Sequence, residues 1–93
     1  MQLENEKVNR EKNYFIGYSP DLDKYVLSCT ITWTAWYNRY YEISEEEYHS
    51  FGSAELDKLA DTLYIQGCNS ERFLFSEKKE ENNQNQLDLW SIF

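Results

Sequence analysis

Residues 24–36 read KYVLSCTITWTAW. The run is rich in β-branched and aromatic residues, which fit a pleated, half-buried surface. It also alternates. Tyr25, Leu27, Cys29, Ile31 and Trp33 fall on one face, and Val26, Ser28, Thr30, Thr32 and Thr34 fall on the other. The first set is apolar and is expected to meet the core. The second reads as the tolerant, half-wet face of an antiparallel sheet. A strand this long is uncommon, so a bulge near Ala35 is an alternative to an unbroken run.

The neighbouring segments place this strand in a sheet. Upstream, residues 13–19 (NYFIGYS) read as a first strand, and SPDLD as the turn that follows, because proline fixes φ and aspartate bonds its own backbone. Downstream, Asn38 is the expected turn position before a third strand, Arg39 to Ile43. Residues 1–12 are polar and charge-balanced and read as a frayed arm or a short helix start.

Ser44 opens a helix. SEEE is a capping box, with Ser44 as N-cap and Glu47 three residues on, and its acids suit the positive end of the helix dipole. Gly52-Ser53 interrupts the helix, and Ser53 caps a second segment. There Leu56, Leu59, Ala60 and Leu63 follow the spacing of one buried face. Gly67 fits the stop. Arg72 to Ser76 is the last expected strand. Residues 77–86 (EKKEENNQNQ) form a polar, flexible loop that cannot build a core. Residues 87–93 (LDLWSIF) are apolar again, as expected of a tail that docks on its own domain. The expected fold is a single α+β domain over residues 1–93. It has a small antiparallel sheet of three to four strands with helix packed on one face, in the order β-β-β-α-β.

Charge narrows the function. The chain of 93 residues has 17 acids and 9 bases, a net charge of -8. In residues 1–13 Glu4, Glu6 and Glu11 balance Lys7, Arg10 and Lys12, so the whole excess falls on the rest. Such a surface repels phosphate and attracts basic proteins. It argues against nucleic acid and against an anionic membrane as partners. No apolar run resembles a signal peptide or a membrane span, so a cytoplasmic protein is expected. Its two cysteines, Cys29 and Cys68, then read as structural thiols.

No catalytic constellation stands out. His49 is the only histidine, the cysteines lack a zinc spacing, and Gly17, Gly52 and Gly67 form no phosphate-binding loop. A Cys–His pair is arithmetically possible, but nothing basic activates either thiol. The expectation is a non-enzyme with no cofactor and no metal.

The unusual feature is a cluster of rings: Trp33, Trp36, Tyr37, Tyr40 and Tyr41 are five of the nine residues 33–41. Trp33 continues the inward face. Trp36, Tyr37 and Tyr40 read equally as core or as partner anchors. Rings on a sheet can also stack bases, but such platforms sit in positive grooves, and here Arg39 is the only base in the run. The rings lead straight into the acids of SEEE. That adjacency favours a basic protein partner. The candidate contact residues are Glu42, Glu45, Glu46 and Glu47, with Trp36, Tyr37, Tyr40 and Tyr41 as anchors.

The stretches AWYNRYYEISEEEY (35–48) and GCNSERFLFSE (67–77) resemble small immunity proteins of bacterial polymorphic-toxin systems, including those of contact-dependent growth inhibition. The likeness is a tyrosine-rich strand running into an ISEEEY helix start, then a short strand after the helix. The resemblance implies a protein that binds and neutralises one cognate toxin domain, commonly a nuclease, whose cleft is basic. It carries over no contact residue. The alternatives are a single-stranded nucleic-acid or nucleotide-binding module built on the aromatic sheet, and a small adaptor subunit.

Overall fold

The computed structural model describes residues 2–32 and 36–83. Five strands form one antiparallel sheet in simple sequence order: β1 (Glu4–Asn9), β2 (Tyr14–Ser19), β3 (Lys24–Thr32), β4 (Trp36–Ile43) and β5 (Phe73–Ser76). Two helices, α1 (Glu45–His49) and α2 (Ala54–Gln66), lie between β4 and β5 in the chain. The α+β class holds, but the sheet gains a strand at its start and the order becomes β-β-β-β-α-α-β.

β3 is the central strand, and its apolar face meets the core as read, but its other face is not half-wet: Val26 and Ser28 are fully buried, because Tyr40 and Phe75 of the neighbouring strands pack with Val26. Leu27, Cys29 and Ile31 are buried on one face. With Tyr14, Ile16, Tyr41 and Ile43 of the neighbouring strands, Leu27 and Cys29 meet Tyr48 of α1 and Leu56, Ala60 and Leu63 of α2. The Cys29 thiol donates to the Ala60 carbonyl at 3.8 Å, and burial pushes it up to about 12. Both cysteines are free, Cys29 buried and Cys68 exposed.

The helix signals also hold. Ser44 Oγ accepts from the Glu47 amide at 3.1 Å, and Glu47 Oε1 accepts from the Ser44 amide at 2.8 Å. Ser53 Oγ accepts from the Leu56 amide at 3.2 Å and starts α2, and Gly67, at φ 56°, ends it. Replacing Ser44 with alanine leaves the α1 amide without its acceptor. The expected loss is about 1 kcal/mol of unfolding free energy, read from the urea midpoint.

Three further expectations change. Asn38 is not a turn: it sits within β4, opposite Thr30, whose Oγ1 donates to Asn38 Oδ1 at 2.9 Å. That bond satisfies the asparagine inside a ladder extended by the pairs Ile31–Tyr37 and Thr32–Trp36. The ladder thus runs past the expected turn to Thr32 and Trp36. The Trp33 and Ala35 readings lie outside the described residues.

Residues 4–9 are a strand and not an arm. β1 is charged and carries a bulge between Glu4 and Lys7, as suits an exposed edge, so it lacks an apolar period. Three contacts hold it. Tyr48 Oη donates to the Asn5 carbonyl at 2.6 Å, the Lys7 ammonium lies 4.6 Å from the Tyr48 ring centroid, and Asn9 Nδ2 donates to Asp57 at 3.3 Å. Gly17 lets the N-terminal segment approach, since a Cβ there would stand 2.8 Å from Leu3 Cβ. Gly17→Ala is expected to cost about 1–3 kcal/mol by overpacking. An unchanged urea midpoint would mean that the two segments are not in close contact.

The polar loop is the third change. Lys79–Glu81 form a short 3-10 turn held to the sheet by side chains. Glu81 Oε1 accepts from Arg39 Nε at 2.9 Å and from Ser76 Oγ at 2.7 Å; Oε2 accepts from Arg39 Nη2 at 2.5 Å and from Tyr37 Oη at 2.9 Å. Asn82 accepts from the Ser76 amide at 2.7 Å and donates to the Ser76 carbonyl at 2.9 Å. Residues 84–86 and the 87–93 tail lie outside the described residues.

Candidate protein-binding surface

The turn from β4 into α1 places Glu42, Ser44, Glu46 and Glu47 beside the segment that enters β5. The two parts are joined where the Glu42 amide donates to the Arg72 carbonyl at 2.8 Å. Between them lies an open groove of about 600 Å³ lined by Glu42, Ile43, Ser44, Glu46, Glu47, Glu71 and Arg72.

The acids here do different work. Glu47 is internal to the scaffold. Besides capping α1, it accepts from Arg72 Nη1 at 2.7 Å and Nη2 at 3.0 Å. Burial pushes its carboxyl up, but the bonds from Arg72 and Ser44 outweigh this and hold it below its ordinary value. Arg72 Nη1 also donates to the Glu42 carbonyl at 3.2 Å, so one guanidinium fastens α1 to the end of β4. Glu42 pairs with Lys24 at 2.9 Å, and Glu45 stands 3.7 Å from His49. Glu46 and Glu71 are exposed and have no ion-pair partner among the described residues. The groove thus presents carboxylates not neutralised from within, suited to Lys or Arg side chains of a partner.

The rings do not join this surface. Trp36 is 79% exposed, but it stands at the other end of β4, about 20 Å from Glu42 at the usual rise of a strand. Tyr37 is half-buried and spends its hydroxyl on Glu81. Tyr40 and Tyr41 are 2% and 0% exposed, on opposite faces of the sheet, and leave the set of anchors for the core. The adjacency of rings and acids in the sequence is therefore undone by the extended strand between them. A stacking platform on β4 is reduced in the same way to Trp36 and part of Tyr37.

Glu71, Arg72 and Lys24 were not among the candidates. Glu71 and Arg72 reach the groove only through strand pairing, for which SERF carries no local signal, and Lys24 is placed by the same means beside Glu42. Among the described residues, no group of three or more His, Cys, Asp or Glu could hold a metal ion. No helix there is long and apolar enough to cross a membrane. Comparison with protein-family models, curated proteins and solved structures finds no match.

Proposed function

We propose that the chain is an immunity protein that binds a basic toxin domain, a nuclease in the first instance, through the groove between α1 and the 70–72 turn. The observation that carries this reading is the exposed pair Glu46 and Glu71 on a groove already rich in carboxylate. A nuclease must hold phosphate, so its cleft is basic, and an acidic protein steers into it and pairs with its Lys and Arg side chains. The resemblance of residues 35–48 and 67–77 to immunity proteins supports the same reading. Action in the cytoplasm belongs to the proposal, and the chain itself performs no chemistry in it. Trp36 remains a separate exposed anchor, outside the groove. The test is charge reversal at Glu46 and Glu71, with binding to the toxin domain as the readout. The nucleic-acid reading predicts instead retention of single-stranded RNA at low salt, lost steeply as salt rises.

A further inference from the structure

Glu71 and Arg72 line two grooves at once. Beside the acidic one, the same two residues wall a second groove of about 440 Å³ between α2 and the 69–72 turn, with Leu59, Thr62, Leu63, Gln66, Asn69 and Ser70. Its chemistry differs from that of the first. Half-buried Leu59 and buried Leu63 stand one helical turn apart and give it an apolar wall. Thr62, Gln66 and Asn69 are exposed and offer hydroxyl and amide oxygens. The charge left over is negative. The Arg72 guanidinium is taken by both Glu47 oxygens and the Glu42 carbonyl. Glu71 has no ion-pair partner among the described residues. Gln66 is the last residue of α2, whose final turn carries no basic side chain, so the negative end of the helix dipole adjoins the groove without a cation of its own. An apolar wall, neutral oxygens and an unmatched carboxylate together fit one kind of side chain. Arginine has an aliphatic stem that lies on apolar surface and a planar fork of five donors for carboxylate and amide oxygens. Lysine offers a point charge with three donors, and an apolar side chain would leave the oxygens unused.

We propose that this second groove takes an arginine of the basic partner, its stem on Leu59 and Leu63 and its guanidinium toward Glu71 and the C-terminal end of α2. The proposal rests on the reading of the acidic groove as the contact surface, and it sharpens that reading. The partner presents two basic side chains, one on each side of Glu71 and Arg72, and the one beside α2 is an arginine.

The test uses the full chain in solution at low salt, titrated with the blocked peptide acetyl-Arg-Ala-Arg-amide and followed by NMR. The methyl signals of Leu59 and Leu63 should shift and saturate, and should shift less with acetyl-Lys-Ala-Lys-amide. In Gln66→Lys/Asn69→Lys these shifts should be lost while the Glu46 amide still responds. A lysine at position 66 suits the end of the helix dipole, so this variant should keep the urea midpoint of the wild type. Toward the toxin domain encoded in the neighbouring reading frame it should bind about tenfold more weakly. Methyl signals that stay still, or equal toxin affinity of variant and wild type, would overturn the proposal. If Glu46→Lys alone then still weakened toxin binding, the acidic groove would stand without the second one. Saturating methyl shifts with no toxin complex would support the arginine groove and contradict the toxin reading.

Discussion

Arg39→Ala is expected to lower the unfolding free energy at neutral pH by about 3 kcal/mol, because it leaves the Glu81 carboxylate unpaired against the sheet. The Arg39 and Glu81 side chains are 17% and 16% exposed, so water does little to replace the lost pair. The hydrogen bonds from Arg39 hold the Glu81 carboxyl down at about 2, against opposition from burial. A carboxyl depressed on folding stabilises the fold above its unfolded value near 4.5. It loses that contribution as pH falls toward 2. The wild type should therefore lose roughly 2–3 kcal/mol from this one group between pH 5 and pH 2. Glu81→Gln should flatten that part of the profile. Urea titrations of the three proteins at pH 7 and pH 3 give the comparison. The gap between wild type and Glu81→Gln should narrow at the lower pH. A gap that widened there, or an Arg39→Ala midpoint equal to that of the wild type, would rule out a structural role for the Arg39–Glu81 pair.

Charge reversal at the groove is the second large effect. Glu46→Lys/Glu71→Lys replaces two exposed carboxylates that make no ion pair among the described residues, so stability should change by no more than about 1 kcal/mol, mostly from the loss of Glu46 in the first turn of α1. Against a basic toxin domain the same change turns attraction into repulsion at two positions. Binding should weaken about a hundredfold at low salt, mostly through slower association. Added salt should shrink the difference, since exposed charges are screened within about 10 Å at 0.1 M. Glu47 is the internal contrast. Its carboxylate serves the Ser44 cap and Arg72, so Glu47→Lys should unfold α1 before it says anything about a partner. A reversal of Glu45, Glu46 and Glu47 together would confound the two effects.

Much of the fold is legible locally. The strand β3 with its apolar face, the capping box at Ser44, the cap at Ser53 and the period of Leu56, Ala60 and Leu63 each depend on neighbours in sequence, and each forms where its pattern says. The features that escape are those made at a distance. β1 carries edge-strand charges instead of a period, and its place depends on Gly17 and Tyr48. Asn38 has the chemistry of a turn, but Thr30 supplies a cross-strand partner. Val26 looks half-wet beside Ser28 and Thr30 until Tyr40 and Phe75 join it from two other strands. Glu81 sits in a run of Lys, Glu and Asn that reads as solvent-facing, and only pairing of β4 with β5 brings Arg39, Tyr37 and Ser76 around it.

The candidate site follows the same division. Glu42 to Glu47 are visible as a charge run, but which of them are spent internally is not. Glu71 and Arg72 arrive from a distant part of the chain. Tyr40 and Tyr41 show the limit of composition. Aromatic residues suit cores and interfaces equally, and only the burial of both faces of the sheet assigns these two to the core.

The most direct test is a calorimetric titration of the chain with the toxin domain encoded in the neighbouring reading frame, at low salt, for the wild type and for Glu46→Lys/Glu71→Lys. The account predicts a one-to-one complex for the wild type, loss of toxin activity in it, and binding weakened about a hundredfold by the reversal. Equal affinity of the two proteins for that toxin would contradict the acidic groove as the binding surface, and no complex at all would contradict the function.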